Sequence, residues 1–382
     1  MKRILILVAV LLTAASLSAQ DFNSTIKRWD DGPLTWDDFT PYSGGFPNIS
    51  ALDYSWHAHQ VTTKTGNLKV TRMQTECYMN PVASWVNPNH RDPYTLLYQQ
   101  VAFDYVELCR RQLQKELDYN EKGHSASELS QFYYSKADRF IAQLHEETDQ
   151  GQDTSMVRFF DVQVKEQLEE FPKESDIPVF QKKNWGHGFQ IGYGNEFRLG
   201  SAANYVRPFH GLQGGFDLSY KKVFLTINIM IGTGGKNPQQ IVHDGNVWEV
   251  GEHQSGGSAE LDLSVPVIDG PWIKIAPFVG AGIGFVDSVI GRDSNGKYLT
   301  DEISAPRFSA GLTLDIKYRR WLDLCGHDII YDAIPVGTTK GYSESSIRLL
   351  AYVARTNLDL PIGPSWSVNF GLTFNGHNWD VR

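Results

Sequence analysis

The chain is poor in cysteine, carries no basic run and, beyond its first twenty residues, has no apolar stretch long enough to cross a bilayer as a helix. Its three cysteines, Cys77, Cys109 and Cys325, fit no zinc-thiolate spacing. They allow one disulfide with a thiol left over, or three unpaired structural cysteines. The formal net charge is −9 and becomes more negative if Lys2 and Arg3 are removed, which argues against nucleic acid as a partner. There is no nucleophile elbow, phosphate loop or catalytic carboxylate dyad, and no cofactor is implied. The absence of a helical span does not exclude the membrane, because β-barrels carry a weaker signal per segment.

At the start stands "MKRILILVAVLLTAASLSAQ". Lys2 and Arg3 precede an apolar core from Ile4 to Leu12, and small residues lead to Ala19. This reads as a signal peptide over 1–19, removed on export. No cysteine follows the site, which argues against a lipid anchor.

The rest divides by hydrophobic period. Residues 20–172 read as a periplasmic α+β domain. "ISALDYSWHAH" and "NLKVTRMQTECYM" look extended, and helices are expected over Thr95–Leu117, Ala126–Glu147 and Thr154–Phe171. In the first, Leu97, Val101, Tyr105 and Leu108 share a face; in the second, Leu129, Phe132, Tyr133, Phe140, Ile141 and Leu144 do. Pro172 and Pro178 break the pattern, so 173–187 reads as a linker and 188–382 as a second domain.

There the period is two. Leu212, Phe216 and Leu218 alternate with Gln213, Gly215 and Asp217; Ala259, Leu261 and Leu263 with Glu260, Asp262 and Ser264; Phe308, Leu312 and Leu314 with Ser309, Thr313 and Asp315. Eight such strands are expected, antiparallel and closed, with ten if the stretch from Trp321 to Ser346 hides two more. One face is apolar and the other is glycine, serine and charge. A lipocalin-like secreted binding protein would turn the apolar face inward; an outer-membrane barrel would turn it to lipid. Two features favour the membrane. Aromatics stand at the turns: Tyr220, Trp272, Tyr318, Trp321 and Trp366. The other connections, such as "GTGGKNPQQIVHDGN" and "DSVIGRDSNGKYLTDEISAP", look long and polar. "DLPIGPSW" does not fit, being a tight turn where eight strands require an outer loop. The inward face then carries both signs of charge: Asp217, Glu260, Asp262 and Asp315 against Lys274, Lys317 and Arg348. Charges this enclosed must pair.

"SIRLLAYVARTNLDL" followed by "SWSVNFGLTF" resembles the closing hairpin of the small outer-membrane-protein β-barrel domains of Gram-negative bacteria. The first half resembles a family of secreted zinc-peptidase-like proteins that remains a domain of unknown function. The likeness begins at "PLTWDDFTP" (family "LTW-DF") and continues at "SWV", Ser84 to Val86. Against the family helix "LL-HEQ-HFD-AEL-AR-L" this chain reads "LLYQQVAFDYVELCRRQL". Leu96, Leu97, Gln100, Phe103, Asp104, Glu107 and Leu108 are kept. Tyr98 and Ala102 stand for the two histidines and Gln99 for the glutamate. At the family's "EET-HG" the chain reads "EETDQG", with Gln150 in place of the histidine. The resemblance implies a zincin-like domain, with zinc held by paired histidines one helical turn apart and a glutamate as base. None of those groups is present, so it also implies a pseudopeptidase, with no catalytic residue and a binding or scaffolding role.

His57 and His59 share a strand face and are weak metal candidates; relocated ligands of this kind would be needed for an active hydrolase. His90, His124 and His145 lie in the same half, Glu146 and Glu147 read as a solvated helix end, and the remaining histidines show no ligand spacing. The expected partners are outer-membrane lipid and an unidentified periplasmic or surface protein.

Overall fold

The computed structural model describes residues 26–381, apart from 43, 45–47, 120–123, 174–176, 293, 295, 297, 326–339 and 359–363. The expected signal peptide and most of the stretch between Trp321 and Ser346 thus lie outside the described residues. The chain forms two compact units: the residues up to Val61 with Arg72–Pro178, and Thr62–Thr71 with Val179–Arg382.

The first unit contains β1 (Lys27–Arg28), β2 (Thr40–Pro41), β3 (Ser50–Ala51), most of β4 (Tyr54–Thr65) and β5 (Leu68–Met79), and β6 (Trp85–Val86). Three helices follow: α1 (Pro93–Tyr119), α2 (Ala126–Glu147) and α3 (Thr154–Glu170). Each helix start is set by side-chain chemistry. Asp92 caps α1 by accepting from the Tyr94 and Thr95 amides, with Pro93 in the first turn. Ser125 and Glu128 form a reciprocal capping box on α2, and Asp153 caps α3. The apolar stripe expected on α1 understates its burial. Val101, Phe103, Val106, Leu108 and Cys109 are all fully enclosed, because α2 and α3 cover one side and the short strands another. The Tyr105 ring stacks on Phe140 at 3.6 Å, and Phe160 meets Phe140 edge-on.

The second unit is a closed ring. Its strands are β7 (Lys182–Leu199), β8 (Phe209–Tyr220), β9 (Val223–Lys236), β12 (His253–Ser264), β14 (Ile273–Arg292), β15 (Tyr298–Asp323), β16 (Gly341–Thr356) and β17 (Ser365–Val381). Three short strands, β10 (Ile241–His243), β11 (Asn246–Trp248) and β13 (Ile268–Asp269), lie in the connections. Each ring strand pairs antiparallel with the next, and β17 returns to β7. Eight strands close the ring, so the ten-strand alternative falls. The apolar face points outward: Leu212 is 69% and Ile231 60% exposed, while Gln213 and Asp217 across the pleat are buried. The lipocalin arrangement, which needs the opposite orientation, falls with it.

Several expectations about the connections are corrected. "DSVIGRDSNGKYLTDEISAP" is mostly strand, because Tyr298–Ser304 extend the ladder with Phe285–Arg292. The two-residue turn at Lys221–Lys222 shares its end of the ring with the long connection between Asp323 and Gly341, so short and long links do not separate cleanly. The link between β16 and β17, with Trp366 beside it, lies at the opposite end, as an even ring requires.

Residues Thr62–Thr71 are integral to this unit. Leu68–Thr71 pair in parallel with Arg320–Asp323. Asn67 donates through Nδ2 to the carbonyls of Pro271 (2.8 Å) and Lys317 (2.9 Å) and accepts through Oδ1 from Arg320 Nε (2.9 Å). Asn67→Ala leaves these groups unmatched, which costs about 1–3 kcal/mol. We expect a lower unfolding midpoint for the detergent-solubilised protein, read by tryptophan fluorescence in urea, with an unchanged slope.

Candidate functional site

In the first unit α1 and the turn after α2 bring the peptidase-like positions together. Tyr98, Gln99 and Ala102 are all buried. The Tyr98 hydroxyl lies 3.2 Å from His145 Nδ1, and burial pushes its phenol up to about 12. Gln99 Nε2 donates to Ser50 Oγ at 2.7 Å. Gln150, in the left-handed region at φ 60°, accepts through Oε1 from the Ile49 amide at 3.0 Å. A Cβ on Gly151 would stand 2.8 Å from Tyr98, so glycine there lets the turn close on the helix. The four positions offer a phenol, two amides and a methyl group, with the single imidazole of His145 beside them. There is no carboxylate at Gln99 and no imidazole at Tyr98, Ala102 or Gln150, so the set does not fit zinc. Among the described residues no group of three or more histidines, cysteines or acids could hold a metal. The His57 and His59 rings lie 5.4 Å apart and nearly parallel, and among the described residues no third ligand joins them. His124 pairs with Glu128 on the surface. Cys77 and Cys109 are buried free thiols.

Gln100, Asp104 and Glu107, on the same helix, make structural contacts. Gln100 accepts from the Leu34 amide and donates to Asp104 Oδ1, which also accepts from Trp29 Nε1. Glu107 takes Arg110 through both oxygens and Arg111 through one. Arg111 in turn donates to the carbonyls of Leu168 and Phe171 at the end of α3, where a cation also suits the helix dipole. These contacts tie the N-terminal segment and α3 to α1. Burial raises the Asp104 carboxyl above its ordinary range, against the lowering effect of the hydrogen bonds from Trp29 and Gln100. A carboxyl raised in the folded state favours folding least where it must ionise, so the penalty grows as pH climbs through the unfolded carboxylate range, about 3.9. Asp104→Asn keeps an acceptor for both donors. It should raise the urea midpoint at pH 7, with the gain vanishing near pH 3; an unchanged or lower midpoint at pH 7 counts against this reading.

In the second unit the inward face carries charge. Arg348 bridges Asp315 (2.7 Å) and Asp217 (3.1 Å), Lys274 meets Asp315 (2.9 Å), and Lys317 meets Glu344 (3.0 Å) and Asp269. Arg307 links Glu260 (2.8 Å) to Glu196 (3.0 Å), which also holds Arg198 (2.6 Å). All seven charges picked from the sequence are buried inside the ring. Glu196, Arg198, Arg307 and Glu344 were missed. Strand parity carried the signal: Arg307 is two residues before the inward Ser309, and Glu196 and Arg198 continue the inward series of Gln190. Asp262 differs from the rest. Its Oδ2 accepts a single long bond from Asn228 (3.4 Å), and its Oδ1 has no hydrogen-bond partner.

The aromatics separate. Tyr220, Trp272 and Tyr318 are exposed at the end that carries the Lys221–Lys222 turn, and Trp366 is exposed at the other. Trp321 is not at a lipid-facing position. A bulge between Lys317 and Arg319 resets the alternation, and its Nε1 donates to Thr71 Oγ1 (3.0 Å) while Lys69 and Arg319 lie over the ring.

No family model matches the sequence, and no curated protein does. Among solved structures the chain is similar to the attachment invasion locus protein Ail of Yersinia pestis, at 12% identity and TM-score 0.27, over 50% of this chain and 97% of that one. It is similar to the N-terminal β-barrel domain of Pseudomonas aeruginosa OprF, at 16% identity and TM-score 0.23, over 51% and 99%. It is also similar to Neisserial surface protein A, at 6% identity and TM-score 0.29, over 52% and 98%.

Proposed function

We propose that this chain is an outer-membrane β-barrel protein whose periplasmic domain is a peptidase-like fold without catalytic power, acting as a binding or scaffolding module that the barrel anchors. One observation carries the membrane reading: the ring is apolar outside and charged inside. Phe308, Leu312, Ile316, Phe370, Leu372 and Phe374 are each close to half exposed or more, whereas the opposite face of the same strands holds Arg307, Asp315 and Lys317 at 3% exposure or less. In water such a surface would aggregate; in lipid it is the stable orientation. The interior supports anchoring over transport, because an eight-stranded ring is only wide enough for side chains to fill and these side chains are bridged across it. The protein should fractionate with outer membranes, change gel mobility on boiling, and give no steady conductance in planar bilayers. Recovery in the soluble periplasmic fraction would refute the membrane reading, and uniform conductance steps the filled interior.

The pseudopeptidase reading is supported by the donor set at Tyr98, Gln99, Ala102 and Gln150. The positions that would hold metal and base are instead occupied by packing and by hydrogen bonds to Ser50, Ile49 and His145. The purified full chain should retain no stoichiometric zinc after dialysis and cleave no casein. Tyr98→His with Gln99→Glu and Ala102→His should not restore activity while Gln150 remains, since a catalytic zinc would still be one protein ligand short. Zinc retained by the wild type and lost on His57→Ala or His59→Ala would favour a hydrolase with relocated ligands.

A further inference from the structure

The end of the ring that carries the Lys221–Lys222 turn also receives the tip of the β4–β5 hairpin, since Thr62–Thr71 belong to this unit. Lys69 pairs with Trp321, and the two side chains fall on one face: Lys69 Nζ lies 5.0 Å from the centre of the Trp321 ring. Arg319, two residues before Trp321, reaches the same ring, with its Cζ also at 5.0 Å. Thr71 Oγ1 fixes the ring by accepting from Trp321 Nε1, and it lies 3.3 Å from Thr62 Oγ1. Lys64 is two residues from Thr62, so the pleat sends it to that face as well.

These three cations differ from their neighbours. Lys182, Lys183 and Lys317, at the same end of the ring, are bridged to Glu344, Asp380 and Asp269. Among the described residues no acid bridges Lys64, Lys69 or Arg319. Asp323, two residues beyond Trp321, accepts from the Cys325 amide instead. Lys69 and Arg319 share one ring, so they stand no further apart than about a Debye length and repel each other. The ring attracts each of them but cancels neither charge. The chain as a whole is acidic, at −9, which sets this cationic face apart.

The face lies where the apolar belt of the ring ends. Ile316 and Tyr318, just before Arg319 on β15, are both exposed on the outer side. The tip of the hairpin meets the exposed Trp272: a Cβ on Gly66 would stand 3.5 Å from its ring. Tyrosine and tryptophan in such places mark the level of the lipid headgroups. Lys64 and Lys69 are each within three residues of that tip.

We propose that Lys64, Lys69 and Arg319 bind the phosphate of an anionic phospholipid headgroup. The Trp321 ring holds two of the three cations beside one another, and the Arg319 guanidinium can take two phosphate oxygens at once. A zwitterionic headgroup brings its own cation, which this face repels, so the site selects lipids of net negative charge. The inference rests on the outer-membrane reading and adds to it the class of lipid.

The test titrates the full chain in neutral detergent with phosphatidylglycerol or phosphatidylcholine and reads bound lipid by native mass spectrometry. Gel mobility without boiling shows that each variant is folded. The wild type should hold one phosphatidylglycerol in preference to phosphatidylcholine. Lys69→Gln and Arg319→Gln should each lower that preference about fivefold. Lys222→Gln removes the same charge at the β8–β9 turn and should leave the preference unchanged. Should a variant fail to fold, the wild-type preference must still fall as salt is raised. Equal binding of the two lipids overturns the proposal, as does a preference that ignores salt or survives in the Lys69→Gln, Arg319→Gln double variant. An equal loss in Lys222→Gln overturns it too, because net charge would then suffice. Displacement of the lipid by inorganic phosphate at equal concentration overturns the lipid assignment in favour of a soluble anion. A chain that fractionates with outer membranes yet shows no preference loses this inference alone, whereas recovery in the soluble fraction removes the reading beneath it.

Discussion

A charge taken out of water must be met by its opposite, and both compact units of this chain are organised by that requirement. In the ring the demand comes from closure. Eight strands leave a narrow interior, every second side chain points into it, and the sequence puts acids and bases there. Neighbouring strands then place Lys274, Asp315 and Arg348 side by side in register, so that one carboxylate neutralises two cations. Arg307 does the reverse, holding Glu196 and Glu260 together. The outward face is largely apolar along the middle of the strands, with exposed charges such as Arg355 and Glu302 toward their ends.

In the helical unit the same requirement orders the charges along α1. Glu107, Arg110 and Arg111 form a closed cluster on α1, and Arg72 meets Asp118 further along it. Losing any member would strand a buried partner. Tyr98 and Gln99 on the same helix are buried without charge, and their polar atoms find hydrogen-bond partners in His145 and Ser50.

Much of this was legible beforehand. The three helices follow from apolar periodicity, and the eight strands from alternation. The inward charges between Asp217 and Arg348 follow from parity alone. What was not legible depends on where strands begin. β15 starts ten residues before Phe308, so Arg307 and the outer ladder to β14 went unseen. Trp321 was misplaced because a bulge is a local shift in pairing that leaves no mark on composition. The role of Thr62–Thr71 in the second unit was hidden for a different reason: its partners at Pro271, Lys317 and Arg320 are far away in the chain.

By itself, then, the sequence determined the two-faced character of each strand, the apolar stripe of each helix and the absence of imidazole and carboxylate at Tyr98, Gln99, Ala102 and Gln150. These are local properties, set by the pleat, the helical repeat and side-chain chemistry. Only the tertiary structure decided that the apolar face turns outward, that eight strands suffice, and which buried charges of the ring meet. Those outcomes depend on register and closure between residues distant in the chain, where a shift of one position would exchange inside for outside and pair every charge differently.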